Sequence, residues 1–224
     1  LEATVLTRPP AERLRVAHVG GGGLSLPRWV AAVRPRTEQV VPEPDSALVA
    51  AVRARLPLPR QSGIKIRETD GRSGIAEMPD EYADVVIVDA FAGAVVPADL
   101  ATVEFFADLA RVLRPGGVMA MNLGDRAPFG WGRRCLAGIT TVFRHVAVSA
   151  EVPICKGRRY GNLVVLAGQV PLPLALLERQ LARADFPYRL LAGGSLAAWI
   201  EGAPPFSGED VSASPDPVER GWLR

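Results

Sequence analysis

Four consecutive glycines, Gly20 to Gly23, stand directly behind a short apolar run, Arg15 to Val19, and ahead of a segment whose apolar residues recur at helical spacing. Glycine has no side chain to hold a ligand away from the backbone, and a strand that turns through such a loop into a helix aims free amide groups above the sheet. Such a loop needs a sheet around it. Further runs rich in β-branched residues, Glu38 to Val41, Ile64 to Arg67, Ala83 to Val88 and Val118 to Asn122, supply the strands. Helical patterns at Leu26 to Val33, Ser46 to Arg55 and Thr102 to Leu113 alternate with them, Thr102 being placed to cap the last and Arg114-Pro115-Gly116-Gly117 to stop it. The alternation predicts an α/β fold: a Rossmann-like, doubly wound and mostly parallel sheet with right-handed crossovers.

Beyond Asn122 the pattern changes. A helix is expected from about Gly132 to Phe143, then strands at Val146 to Ser149 and Asn162 to Ala167 on either side of a polar, basic loop. These two strands are expected to pair antiparallel at the C-terminal edge of the sheet. With 224 residues, 48% of them hydrophobic, the chain can bury one core, so a single domain is expected over residues 1–202. Residues 203–224 carry Pro204, Pro205, Pro215 and Pro217 among Ser, Gly and acidic residues and read as an extended or mobile tail. Because the chain opens on Leu rather than Met, native sequence is expected ahead of it.

Charge and cysteine content exclude several function classes. Twenty-six basic against 24 acidic residues leave a net charge of +2, too balanced for a nucleic-acid surface. The pairs Arg133-Arg134 and Arg158-Arg159, without interleaved aromatics, read as solvated surface charge. Cys135 and Cys155 form neither a disulfide framework nor a zinc pattern, which fits a reducing cytoplasm. His18 and His145 fall in apolar strands and are expected to be structural, so no metal is predicted. No signal peptide and no apolar run of about 20 residues is present, so no membrane association is expected.

The candidate site follows from the strand ends, where ligands of such sheets bind. Gly20, Gly21 and Gly22 are predicted to line a nucleoside. Glu43 lies where the second strand should end, and there a carboxylate accepts hydrogen bonds from both ribose hydroxyls. Asp70 and Gly71, after the third strand, offer an acceptor for an adenine amino group and a backbone to hold its ring. Asp89 closes the fourth strand and could orient an amine nucleophile, take its proton or cap the following turn. Asp125, behind the fifth strand, is the second catalytic candidate. Phe91 could stack on substrate, and Glu104 and Tyr160 could line its pocket, although these two also read as a helix first-turn charge and a partly buried aromatic.

Together the glycine loop, Glu43 with Asp45, Asp70-Gly71, Asp89 and Pro115-Gly116-Gly117 resemble the polyamine aminopropyltransferases, the spermidine synthases, most of all their actinobacterial type. The resemblance covers roughly Leu14 to Leu166, and ordinary class I methyltransferases share its first half. It implies a donor that is S-adenosylmethionine or its decarboxylated form, an amine acceptor, Asp89 acting at that amine, and a homodimer. Methyl transfer on the same scaffold, and a noncatalytic nucleoside-binding homologue, remain the alternatives. Three departures bear on the activity. Gly23 stands where the family carries a loop aspartate, Ala92 stands where it carries a second aspartate three residues after the catalytic one, and its small N-terminal β-domain is not visible before Leu14. Each carboxylate lost from an ammonium pair would weaken binding by about 1 to 3 kcal/mol.

Overall fold

A computed structural model describes Val5 and residues 13–217. Its elements are β1 (Arg15–Val19), α1 (Ser25–Val33), β2 (Glu38–Pro42), α2 (Ser46–Arg55), β3 (Ile64–Arg67), α3 (Gly71–Ala76), β4 (Ala83–Val88) and α4 (Val103–Val112). The second half adds β5 (Leu113–Asp125), α5 (Gly130–Val142), β6 (His145–Glu151), α6 (Val152–Cys155), β7 (Gly161–Gly168), α7 (Leu174–Leu181), β8 (Tyr188–Ala192) and α8 (Gly193–Ile200). The strands form one sheet in the order β3-β2-β1-β4-β5-β7-β6-β8. From β3 to β5 all neighbours are parallel; β7 is antiparallel to β5 and β6, and β8 is antiparallel to β6. This is the expected Rossmann-like α/β architecture.

Burial explains the order. Every residue of β4 (ADVVIV) is buried, as a central parallel strand covered on both faces must be. On one face, α4 lays Phe105, Phe106, Leu109 and Val112 into the main core, each large side chain contributing about 1.5 to 3 kcal/mol by leaving water. Thr102 caps that helix by accepting from the Phe105 amide at 3.2 Å. On the opposite face Val16, Val30, Val85 and Ile87 form a second cluster against α1, with Leu26 and Trp29 packed on it.

Three features add to the sequence-based expectation. The helix α4 stops as expected ahead of Arg114-Pro115-Gly116-Gly117, but the chain enters β5 at once, the four residues forming an irregularity between the pairs Ala83–Leu113 and Val85–Val118. Gly116, at φ 78°, supplies the left-handed turn this requires. The two strands expected at the C-terminal edge do pair antiparallel there, as β6 and β7, and the half-exposed β8, which the sequence did not suggest, adds a further strand outside them. Finally, residues 203–217 run without helix or strand but are pinned to the body: Phe206 is 2% exposed, and the Trp131 indole donates to the Ser212 carbonyl at 2.8 Å. The rest of the expected tail lies outside the described residues.

Candidate functional site

The glycine loop is shaped by a buried carboxylate. Glu43, just past β2, accepts through Oε2 from the amides of Gly21 (2.9 Å) and Gly22 (3.1 Å) and through Oε1 from that of Asp45 (3.1 Å). A carboxylate offers about four acceptor sites, so these three amides leave room for one more donor. Gly20 sits at φ 91° and donates to the Pro42 carbonyl at 3.1 Å. A Cβ there would lie 2.5 Å from the Asp89 carbonyl oxygen, so only glycine lets β1 turn this close to the end of β4. Above the loop there is space: a Cβ on Gly22 would meet nothing within 4 Å.

A cavity of about 250 Å³ opens between this loop, the first turn of α1, His18, Ile87 and Asp89. His18 is buried, which drives its pKa down to about 4 against the raising effect of its bond to Gln39. The imidazole Nε2 and Gln39 Oε1 lie 2.8 Å apart, and the Gln39 amide donates to the Pro27 carbonyl at 3.0 Å. Neutral His18 therefore ties β1 to β2 and α1 at the floor of the cavity.

Asp70 caps α3, accepting from the Ser73 amide at 2.8 Å. That bond holds its carboxyl below the usual range. The residue is exposed at the end of β3. Gly71 packs directly on the Val19 side chain, where any Cβ would collide with it.

Asp89 lies exposed at the end of β4, its amide bonded to the Val19 carbonyl at 2.9 Å. Its Oδ1 accepts from Asn122 Nδ2 at 3.0 Å. The parallel register Val88–Met121 sets the next residue of each strand side by side, which is why Asn122 reaches it. Asn122 Oδ1 is buried and makes no hydrogen bond among the described residues. Sequence reasoning passed over Asn122 in favour of Asp125; the usable signal was its position one residue beyond the fifth strand's partner for Val88.

Asp125 is placed differently. It is 1% exposed, and its oxygens accept from the amides of Arg126 and Gly132, both at 2.7 Å, at the start of α5. Burial pushes its pKa up to about 6, against the lowering effect of those two amides. Tyr160 lays its hydroxyl against Gly124, leaving no room for a Cβ there, and burial raises its pKa, with the charge of Asp125 adding to the effect. Phe91 is 40% exposed on the loop behind Asp89. Glu104, in the first turn of α4, turns to the C-terminal segment and accepts from the Gly208 amide at 3.1 Å. Its own amide and that of Gly208 hold its carboxyl below the usual range. The structure thus gathers the glycine loop, Glu43, Asp70, Gly71 and Asp89 along the C-terminal ends of β1 to β4. It sets Asp125 under α5 and Glu104 against the tail. Among the described residues there is no cluster of metal-ligating side chains, and no helix is long and apolar enough to cross a membrane.

A sheet of this order, with a glycine loop behind β1 and acidic residues behind β2, β3 and β4, defines the methyltransferase-like class of α/β proteins. A family model described as "Methyltransferase domain" matches residues 17–121. Human methyltransferase-like protein 13, solved in complex with SAH, superposes with a TM-score of 0.64 at 20% identity over 93% of this chain and 95% of that one, a likeness of fold. More specific is a probable spermidine synthase from Corynebacterium glutamicum, with a TM-score of 0.85 and 32% identity over 92% of this chain and 76% of that one. The polyamine aminopropyltransferase of Chromobacterium violaceum is 28% identical over 173 residues, 76% of this chain and 62% of that protein. The chain belongs to the spermidine synthase family of polyamine aminopropyltransferases. It spans about 62% of the length of the curated relative from C. violaceum.

Proposed function

We propose that this chain binds an adenosyl sulfonium, S-adenosylmethionine or its decarboxylated form, and that it transfers the aminopropyl group of the decarboxylated form to a small amine. The observation that carries the reading is the junction of loop and base: Gly20 bears on the backbone of Asp89, whose carboxylate is oriented by Asn122. The cradle fits a nucleoside. The space over Gly22 admits a ribose, Glu43 retains one acceptor site for a hydroxyl, and the exposed Asp70 carboxylate offers an acceptor for an adenine amino group.

In the reaction the lone pair of a neutral amine attacks the carbon next to sulfur. The carbon–sulfur bond breaks, its electrons pass to sulfur, and methylthioadenosine leaves. Sulfonium is already a good leaving group, so the protein needs no nucleophile of its own. Asp89 accepts the proton that the new secondary ammonium sheds, and Asn122, donating from Nδ2 to Asp89 Oδ1, holds that carboxylate in place. The acceptor pocket is completed by Phe91 and Tyr160, on the exposed loop behind Asp89 and beside Gly124. Asp125 and Glu104 act here through structure, one holding α5 and the other the C-terminal segment.

Methyl transfer is the second reading, favoured by the methyltransferase match over residues 17–121 and by Gly23 and Ala92 standing where the family places carboxylates for ammonium groups. The two separate by product. Incubation with either donor and a panel of di- and polyamines, followed by mass spectrometry of the nucleoside, should give methylthioadenosine. S-adenosylhomocysteine would establish methylation, and absence of turnover with intact nucleoside binding would establish a noncatalytic homologue. Family likeness also supports a cytoplasmic homodimer.

A further inference from the structure

We propose that the C-terminal segment from Ala203 to Pro217 is a working part of the acceptor site: it fixes the loop that follows Asp89, with Ser214 as the positioning residue. This rests on the reading of Asp89 given above. Ser214 is 4% exposed and bonds Val96 twice, its Oγ accepting from the Val96 amide at 2.8 Å and its own amide donating to the Val96 carbonyl at 3.1 Å. The partners are 118 positions apart.

Val96 is the point where that loop is tied down. Phe91 to Ala94 are exposed, Ala92 and Val95 close a tight turn through Gly93 and Ala94 at φ 58° and 71°, and Val96 itself is fully buried. The turn is therefore held at one end by β4 and at the other by Ser214. Few buried contacts secure its tip, so its ordering depends on those ends.

The strap has anchors of its own. Phe206 packs on Trp131 at 6.1 Å between ring centroids and lies under the Arg134 guanidinium at 4.0 Å, while its carbonyl accepts from the Val103 amide at 3.0 Å. Arg134 pairs with Asp210 at 2.5 Å, and Trp131 holds Ser212. Side chains of α5 thereby set where Ser214 meets the loop.

Hydrogen exchange of residues 90–97, read by mass spectrometry, tests this without requiring turnover. Ser214→Ala should speed exchange there about tenfold, the weight of one lost hydrogen bond, and Ser214→Thr, which keeps the hydroxyl, should restore it. Asp210→Ala, at an exposed anchor, should move the same peptide in the same direction but less, and keeps the test open if Ser214→Ala folds poorly. With a turned-over amine, Ser214→Ala should raise its KM several-fold while methylthioadenosine affinity stays unchanged. Unchanged exchange at 90–97 in both Ser214→Ala and Asp210→Ala would overturn the proposal. So would a loss of nucleoside affinity equal to the loss at the acceptor. Faster exchange without turnover on any amine would leave the strap standing and remove the aminopropyl reading instead.

Discussion

The proposed donor half of the crevice, at the ends of β1 to β3, and the proposed acceptor half, at the ends of β4 and β5, are held by different means. In the donor half Glu43 bonds amides 21 and 22 positions away, within one strand-helix-strand unit. In the acceptor half Asn122 reaches 33 positions back to Asp89, and Ser214 reaches 118 back to Val96. On the proposed reading, nucleoside binding rests on local crossovers, whereas recognition of the acceptor draws on the far end of the chain. An assembly divided in this way can alter its acceptor while keeping its donor, which fits Ala92, on the acceptor side, standing where the family carries a carboxylate.

The largest expected effect tests whether the halves separate. Asp89→Asn should lower kcat/KM for the amine about 10²- to 10⁴-fold, the usual worth of a positioned base, with methylthioadenosine affinity unchanged in calorimetry. A parallel fall in nucleoside affinity would break the division. Gly20→Ala strikes the junction itself, since its Cβ would meet the Asp89 carbonyl at 2.5 Å and its φ is 91°. A cost of about 2 to 4 kcal/mol in denaturant unfolding is expected, with loss of both nucleoside binding and turnover. Glu43→Gln replaces one carboxylate oxygen with a group that cannot accept, leaving Gly21 and Gly22 or Asp45 unpaired. Nucleoside affinity should fall about tenfold or more, and turnover at saturating donor should change little.

How much of this was legible depended on distance along the chain. The glycine loop, Glu43 and Asp89 are set by strand ends, and strand ends are set by local pattern. Choosing between Asn122 and Asp125 needed the β4–β5 register and the alternation of faces along β5, neither of which a single run of residues contains. Glu104 read as a pocket candidate because its partner, Gly208, lies 104 positions away. The strap read as a tail for the same reason, its prolines and serines carrying no periodic signal while its anchors sit on α4 and α5. Edge strand β8 was missed because its residues are only half buried and show no clean alternation.

The smallest expected effects concern pH, and they oppose each other across the two halves. Asp125 has its pKa raised from 3.8 to about 6, so its contribution to stability is full below 3.8 and is lost as pH rises through 6. His18 has its pKa lowered from 6.5 to about 4, so its contribution is full above 6.5 and is lost as pH falls through 4. Measured against the wild type by denaturant unfolding, Asp125→Asn should gain relative stability as pH rises from 4 to 6, and His18→Gln should gain it as pH falls over the same range. Each gain should be about 1 to 2 kcal/mol, and a flat difference for either variant would show that its titration does not differ between folded and unfolded chains.

The most direct test of the central claim is calorimetric titration with methylthioadenosine, S-adenosylmethionine and decarboxylated S-adenosylmethionine, repeated on Glu43→Ala and Asp70→Ala. The account predicts that methylthioadenosine binds, that the decarboxylated donor binds more tightly than the full one, and that both variants weaken all three. If none of the three binds the wild-type chain, the glycine loop does not hold an adenosyl sulfonium and the account is wrong.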